Sequence, residues 1–181
     1  MEWITRLNKA FPPISFKVIV KGAEEMDYRI EKRDTIRVLG ISMPLDKEVG
    51  RNFEMVPQMW GKAAMDGTIE ALTKLMDSQP MGLLGVSVCN DEEDWRYFIA
   101  VSTTAPSGDA FEEYIIPAAT WAVFSGEGTN ESIQELEKRI ITEWLPTSGY
   151  EYGNAPDIEV YLNADPQNAT YEVWIPVTRK G

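Results

Sequence analysis

Two glutamates near the C-terminus are the residues whose type and setting best suit ligand binding or acid–base chemistry. Glu159 lies two positions before Tyr161, and Glu172 lies two positions before Trp174. Because side chains alternate between the faces of a strand, each glutamate shares a face with its aromatic neighbour. If the two strands form a hairpin, we expect all four side chains on one face, as an aromatic slot that attracts flat or cationic molecules. The alternative is a half-exposed hairpin whose glutamates face water.

Four further aromatic residues are candidates for the walls of such a slot. Trp60 lies in a helical stretch, where the alternative is a packed core residue. Phe98 is the counterpart of Trp174 when the two halves of the chain are overlaid. Trp121 lies on a strand, and we expect its ring to face the slot. Tyr97 offers a phenol hydroxyl that can donate a hydrogen bond to a ligand or accept one from it.

The composition excludes several kinds of chemistry. The chain has 181 residues, no histidine and a single cysteine, Cys89. Without histidine there is no Ser-His-Asp or Cys-His catalysis and no His-ligated zinc, so a carboxylate is the candidate proton carrier. The acidic runs at 46–48 and 91–94 lack the ligand spacing of a calcium loop, and the glycines match no phosphate-binding fingerprint. We therefore expect no metal and no cofactor.

The charge balance limits the partners. Lysine and arginine number 17 against 29 aspartates and glutamates, a formal net charge of −12. An acidic surface of this size repels phosphate backbones, so we expect no direct DNA binding. The longest mostly apolar run, 81–89, is shorter than the roughly 18 residues that a membrane span needs, and no targeting segment stands out. We expect a cytoplasmic protein that does not bind a membrane.

Hydrophobic periodicity predicts alternating strands and helices. A helical pattern over 52–77 contains Pro57 and the Asp66-Gly67 pair, both of which we expect to divide it. A second helical pattern has Asn130 as its predicted N-cap and ends at Pro146. The predicted strands cover residues 16–20, 35–42, 84–88, 95–101, 121–124, 157–162 and 171–177.

The order strand, helix, strand, strand occurs twice, which indicates an internal repeat. At an offset of 86 residues Val38 is matched with Phe124, and at an offset of 76 the segment 97–102 is matched with 173–178. The matches are similarities of pattern with low identity. The alternative is an α+β domain whose halves are alike by coincidence.

The repeat predicts an α+β fold of two pseudo-twofold-related β-α-β-β units. We expect antiparallel sheets with helices on one face and a ligand cleft on the other, since ligand sites favour such junctions. The predicted domain covers 24–181, with half-repeats at about 26–103 and 110–180, and follows an N-terminal extension over 1–23.

Four phrases of the sequence resemble the effector-binding domain of AraC-type transcription regulators and the GyrI-like proteins. They are IPAATWAVF at 116–124, EWLPTSGYE at 143–151, DIEVY at 157–161 and EVWIPV at 172–177. The resemblance covers roughly residues 24–178 and implies two β-α-β-β units with a ligand cleft between them. Drug-binding members place two glutamates thirteen positions apart on the last two strands. This implies ligand-binding roles for Glu159 and Glu172, with Trp174 as the aromatic residue beyond them.

The opening residues extend the resemblance and also show a departure from it. Residues 2–8 resemble the start of AraC-type regulators, and residues 11–16 resemble their inter-domain connection. The two helix-turn-helix motifs that separate these segments in such regulators do not occur between them here. The resemblance therefore implies an effector-binding domain without the DNA reader.

Three functions follow as expectations. The first is a standalone sensor or sequestering protein for aromatic or cationic drug-like molecules, with Glu159 and Glu172 supplying negative charge. The second is an enzyme, because some GyrI-like proteins hydrolyse the cyclopropane ring of DNA-alkylating natural products; here Glu172 or Glu159 would act as general acid or base while Trp174 and Trp60 stack the substrate. The third is a protein-interaction regulator such as a gyrase modulator.

Overall fold

A computed structural model of the chain describes residues 26–89, 94–163, 165 and 167–181. The strand predicted over 16–20 and the extension predicted over 1–23 lie outside the described residues. Within the described residues the fold is mixed α+β, with nine strands and three helices of eight residues or more. The predicted fold class is confirmed.

The helices divide where the sequence predicts, with one exception. They are α1 (Val49–Met65), α2 (Thr68–Leu75) and α3 (Asn130–Arg139), and α3 continues through a π-helical turn at Ile140–Trp144 into a short turn at Leu145–Thr147. Gly67 separates α1 from α2 with a φ of 86°, a left-handed conformation that glycine adopts without strain. Pro57 lies inside α1, so the prediction that it divides the helical stretch is wrong. The helix continues past the proline at the loss of one backbone hydrogen bond.

The strands form one antiparallel sheet. They are β1 (Arg29–Arg33), β2 (Ile36–Pro44), β3 (Leu83–Cys89), β4 (Trp95–Ser102), β5 (Glu112–Ile116), β6 (Ala119–Gly128), β7 (Tyr150–Tyr152), β8 (Asp157–Tyr161) and β9 (Ala169–Arg179). Their order is β1-β6-β9-β8-β3-β4-β2-β5, and β7 pairs with the end of β9. None of the helices within the described residues is long and apolar enough to span a membrane.

The strand order has a pseudo-twofold centre between β3 and β8. Exchanging β1 with β5, β2 with β6, β3 with β8 and β4 with β9 reverses the order and leaves every pairing within it intact, the added pairing of β7 with β9 aside. The outermost strands are crossed between the halves, since β1 pairs with β6 and β5 pairs with β2. The two predicted sheets are therefore one continuous sheet, joined at its centre by the β3–β8 ladder.

The helices cover one face of the sheet, which we call the helix face. Trp60 and other residues of α1 and α2 pack on a cluster that includes Ile99 and Val101 of β4. On the other half, α3 and the turn after it pack on Phe124 of β6 and Val173 of β9. Two separate apolar clusters thus lie beneath the helices, one in each half.

The opposite face, which we call the far face, is filled by the sheet's own apolar side chains. Phe98, Trp121 and Trp174 are 0–1% exposed, and the ring centroids of Trp121 and Trp174 are 6.1 Å apart. Phe98 stacks on Tyr114 with 5.1 Å between ring centroids. The expectation that these three residues line an open cleft on this face is corrected, because they pack against one another and against aliphatic residues of six strands.

One of the two sequence overlays is wrong by an odd number of residues. Val38 lies on the far face whereas Phe124 lies on the helix face, so the offset of 86 does not join equivalent positions. Phe98 and Trp174, matched at an offset of 76, do share the far face. An error of one residue moves every side chain of a strand to the other face, because the side-chain period is two.

The two phenylalanines Phe124 and Phe53 provide a matched test of the helix-face core. Phe124 is 1% exposed and contacts Tyr28 and Trp144, whereas Phe53 on α1 is 58% exposed. We expect Phe124→Ala to lower the free energy of unfolding by about 3–5 kcal/mol, because it leaves a cavity. Phe53→Ala should change it by about 0.5 kcal/mol or less. Urea unfolding followed by circular dichroism measures both, and equal losses would contradict the described packing.

Candidate functional site

The register of the last two strands separates the two predicted glutamates. Glu159 pairs with Val173, and Val160 pairs with Glu172. Residues directly opposite in an antiparallel ladder share a face. Glu159 and Tyr161 therefore lie on the helix face, and Glu172 lies on the far face. The prediction that both glutamates share one face is wrong, since every pair of this ladder joins residues of equal parity and an odd spacing of thirteen changes the face.

On the far face, contacts within the protein neutralise the negative charge of Glu172. Its Oε1 lies 2.8 Å from Nη2 of Arg29, and its Oε2 accepts a hydrogen bond of 2.8 Å from Nε1 of Trp174. The guanidinium of Arg33 lies 5.5 Å from the centre of the Trp174 ring, within the range of a cation–π contact. Both carboxylate oxygens of Glu172 thus have partners within the protein, and its negative charge is paired with Arg29.

Glu159 has a different environment, which we call the Glu159 cluster and define as Trp60, Tyr97, Glu159 and Tyr161. The Oε2 atom of Glu159 accepts hydrogen bonds from the hydroxyls of Tyr97, at 3.0 Å, and Tyr161, at 2.8 Å. Trp60 donates its Nε1 proton to the Tyr97 hydroxyl at 2.9 Å. The Trp60 ring meets Tyr161 edge to face, with 4.9 Å between centroids. The structure therefore brings together four of the predicted site residues, from α1, β4 and β8.

A glycine on the neighbouring strand makes room for this cluster. Gly85 of β3 is paired with Glu159 in the middle of the β3–β8 ladder, at the pseudo-twofold centre of the sheet. A Cβ atom at Gly85 would lie 2.6 Å from Oε2 of Glu159 and closer still to the Tyr97 hydroxyl. A larger residue at position 85 would displace both groups, so the backbone of β3 forms the floor of the site.

Three residues that sequence reasoning did not single out belong to the same region. Glu137 of α3 shares a side-chain hydrogen bond with Glu159, and Tyr152 of β7 donates its hydroxyl proton to Asp157 of β8. Glu137 could have been found from the sequence. It follows the buried Ile133 by four residues, so it lies on the inward stripe of α3, where an apolar residue is expected.

Burial and mutual repulsion shift the protonation of these groups. Burial, the charge of Glu159 and the hydrogen bond between them together raise the pKa of Glu137 well above its usual range. Burial raises the pKa of Asp157 to about 6. The pKa values of the Tyr97 and Tyr161 phenols are also raised, first by burial and then by the charge of Glu159. The phenols therefore remain hydrogen-bond donors to Glu159 at neutral pH.

The negative charge of this region has no positive partner among the residues that the structure describes. Within residues 26–89, 94–163, 165 and 167–181, no lysine or arginine forms an ion pair with Glu137, Asp157 or Glu159. Nor does that part of the chain contain a group of three or more acidic or cysteine side chains arranged to hold a metal ion. The site thus offers a half-buried carboxylate, two phenols and an indole, and no described lysine or arginine compensates its charge.

The match of residues 26–178 to a known family places the chain among small-molecule-binding domains. The chain belongs to the GyrI-like family, described as the GyrI-like small molecule binding domain. No curated protein sequence matches it.

Solved structures show the same fold at low sequence identity. SAV2435 bound to tetraphenylphosphonium superimposes with a TM-score of 0.72 at 18% identity, over 84% of this chain and 94% of that one. A protein from Staphylococcus aureus MU50 gives a TM-score of 0.70 at 20% identity, over 85% and 99%. The EcmrR C-terminal domain gives 0.56 at 15% identity, over 86% and 99%.

The raised pKa of Asp157 predicts a pH-dependent loss of stability. The folded protein binds this proton more tightly than the unfolded chain, so the free energy of unfolding falls as pH rises from about 4 to the folded pKa of about 6. We expect Asp157→Asn to make this pH-dependent decrease in the free energy of unfolding about 1–2 kcal/mol smaller, a figure that allows for partial screening of the charge by solvent. Urea unfolding at pH 4.5 and 7.5 measures it. Asp34→Asn, in an exposed turn, is the control, and an equal effect there would contradict the assignment.

Proposed function

We propose that the chain binds aromatic organic cations at the Glu159 cluster. The observation that carries this proposal is the carboxylate of Glu159, which two phenols hold beside the Trp60 ring and with which no described lysine or arginine forms an ion pair. A delocalised cation supplies the missing positive charge, and its flat rings stack on indole and phenol faces. Capture of such a ligand serves sensing or sequestration.

The energetics favour a cation over a neutral molecule of the same shape. Two unit charges 4 Å apart attract by about 4 kcal/mol at the effective dielectric constant of a site near a protein surface. A lipophilic cation also loses little hydration on entering the site, because its charge is spread over a large apolar surface. For a neutral ligand only stacking and apolar burial remain, at about 25 cal/mol per Å² buried.

Two comparisons support the proposal. The family is described as a small-molecule-binding domain, and the similar structure of SAV2435 contains tetraphenylphosphonium, an aromatic cation of fixed charge. Tetraphenylphosphonium is therefore the first probe for this chain. Its charge does not depend on pH, so every pH effect in its binding originates in the protein.

The sequence predicts the same ligand-binding role for Glu159 and Glu172, but we expect their substitutions to affect ligand affinity differently. Glu159→Gln should weaken tetraphenylphosphonium binding at least tenfold, about 1.4 kcal/mol, because it removes the charge that faces the ligand. Glu172→Gln, on the far face, should leave the dissociation constant within about threefold. Isothermal titration calorimetry and quenching of tryptophan fluorescence measure both variants. Equal losses, or a loss confined to Glu172→Gln, would assign the ligand to the far face.

A second function, ring-opening hydrolysis, is favoured by the pairing of Glu137 with Glu159. A protonated carboxyl next to an ionised carboxylate provides an acid and a base within one site. Glu159 would take a proton from an attacking water, and Glu137 would give one to the opened ring. One C–O and one C–H bond would then replace the broken C–C bond of a cyclopropane.

Product analysis distinguishes binding from hydrolysis. If the site is hydrolytic, incubation with a cyclopropane-bearing alkylating compound gives a product 18 mass units heavier (the mass of one water), and Glu159→Gln lowers its rate at least a hundredfold. Mass spectrometry against a no-protein control measures this. Unchanged compound in the presence of saturable binding would restrict the function to capture.

A further inference from the structure

Glu137 occupies a position in which it must be either protonated or displaced. It lies on the inward stripe of α3, between Ile133 and Ile140, and its carboxyl shares a hydrogen bond with Glu159. Ionised carboxylates are acceptors only, so two of them cannot form a hydrogen bond with each other. The contact therefore contains a proton that the two carboxyl groups share.

Among the described residues, the acidic groups that face Glu137 repel a second negative charge. Asp157 and Glu159 face it from β8, and both disfavour its ionisation. The remaining groups nearby are neutral phenols, Tyr161 of β8 and Tyr152 of β7. The neighbouring Lys138 of α3 pairs with Glu135, and Arg139 pairs with Glu143 of the turn that follows the helix. A proton is thus the positive charge that keeps Glu137 at Glu159.

We infer that the site exchanges charge for charge: an organic cation that binds beside Glu159 expels the proton that Glu137 and Glu159 share. This inference rests on the proposed function and deepens it. It assigns to Glu137 the role of coupling ligand binding to pH. Cations then bind more tightly as pH rises, and neutral ligands of the same shape bind without this dependence.

Both ways in which a cation can enter lead to the same release. If the cation lies next to the Glu137–Glu159 pair, its charge favours ionisation of Glu137, because an opposite charge within about 4–6 Å lowers a carboxyl pKa by 1–3 units. If the cation instead displaces Glu137 from Glu159 into water, Glu137 loses the burial that kept it protonated. In either case the bound state holds fewer protons than the free state.

Calorimetry in two buffers counts the protons. Tetraphenylphosphonium bromide is titrated into the protein at pH 7.5 in phosphate and in Tris, whose ionisation enthalpies differ widely. The difference in observed binding enthalpy divided by the difference in buffer ionisation enthalpy gives the number of protons released. We expect about 0.3–1 proton for the wild type and close to none for Glu137→Gln. The dissociation constant of the wild type should fall between pH 6 and pH 9, by at most about tenfold per pH unit.

A matched control lies two residues away on the same helix. Glu135 is exposed, with 64% of its side chain accessible, so Glu135→Gln should release as many protons as the wild type. Triphenylphosphine oxide, a neutral aromatic relative of the probe, should bind the wild type without proton release. This comparison needs only the wild type, so it tests the exchange of a proton for a cation even if Glu137→Gln does not fold.

The outcomes separate this inference from the proposed function. Saturable binding of tetraphenylphosphonium with equal enthalpy in both buffers and a flat pH profile would overturn the exchange and leave cation binding intact. Equal proton release by the wild type and folded Glu137→Gln would overturn the role of Glu137. The absence of saturable binding by the wild type between pH 6 and pH 9 would overturn both proposals.

Discussion

The β3–β8 ladder is the contact on which both the fold and the candidate site depend. It joins the two halves into one sheet, and its middle pair is Gly85 with Glu159. A charged side chain at the centre of a sheet is tolerated only if it is hydrogen-bonded and has space. The missing side chain at Gly85 provides the space, and the phenols of Tyr97 and Tyr161 provide the hydrogen bonds. The two halves are alike in topology, but only the second half places a carboxylate at this position.

Local patterns were enough to predict the fold class and most elements, whereas the division of residues between faces was not predictable. The alternation of apolar residues and the helix break at Asp66-Gly67 can each be recognised within one short segment of the sequence. The register of β9 on β8 depends on a loop and a ladder that neither strand specifies alone. A shift of a single residue would have put Glu172 beside Glu159, as the sequence hypothesis required. Trp60 and Tyr97 were recognised as candidates, but only the packing of α1 over β4 shows that Tyr97 contacts Glu159 and that Trp60 contacts Tyr97.

The acidic groups of the site reduce the stability of the empty fold. Glu137 takes a place on α3 that an apolar residue would fill, and Asp157 and Glu159 add charge of the same sign nearby. Proteins tolerate such local conflicts mainly where function requires them. A ligand that neutralises this charge stabilises the folded state by mass action, because it binds the folded chain and not the unfolded one. The conflict within the site and the proposed affinity for cations thus have one physical origin.

The contrast between Glu159 and Glu172 shows that residue type and strand position do not decide function by themselves. Both are half-buried glutamates on adjacent strands, and both accept hydrogen bonds from aromatic side chains. Arg29 of the crossed strand β1 reaches Glu172 and neutralises it, which links β1 to β9 across the far face. No described lysine or arginine reaches Glu159 in this way, because the residues above it come from α1, α3 and β4 and are aromatic or acidic. Among the described residues, an arginine neutralises Glu172, which makes its role structural; none neutralises Glu159, and this difference is the basis for proposing a cation site there.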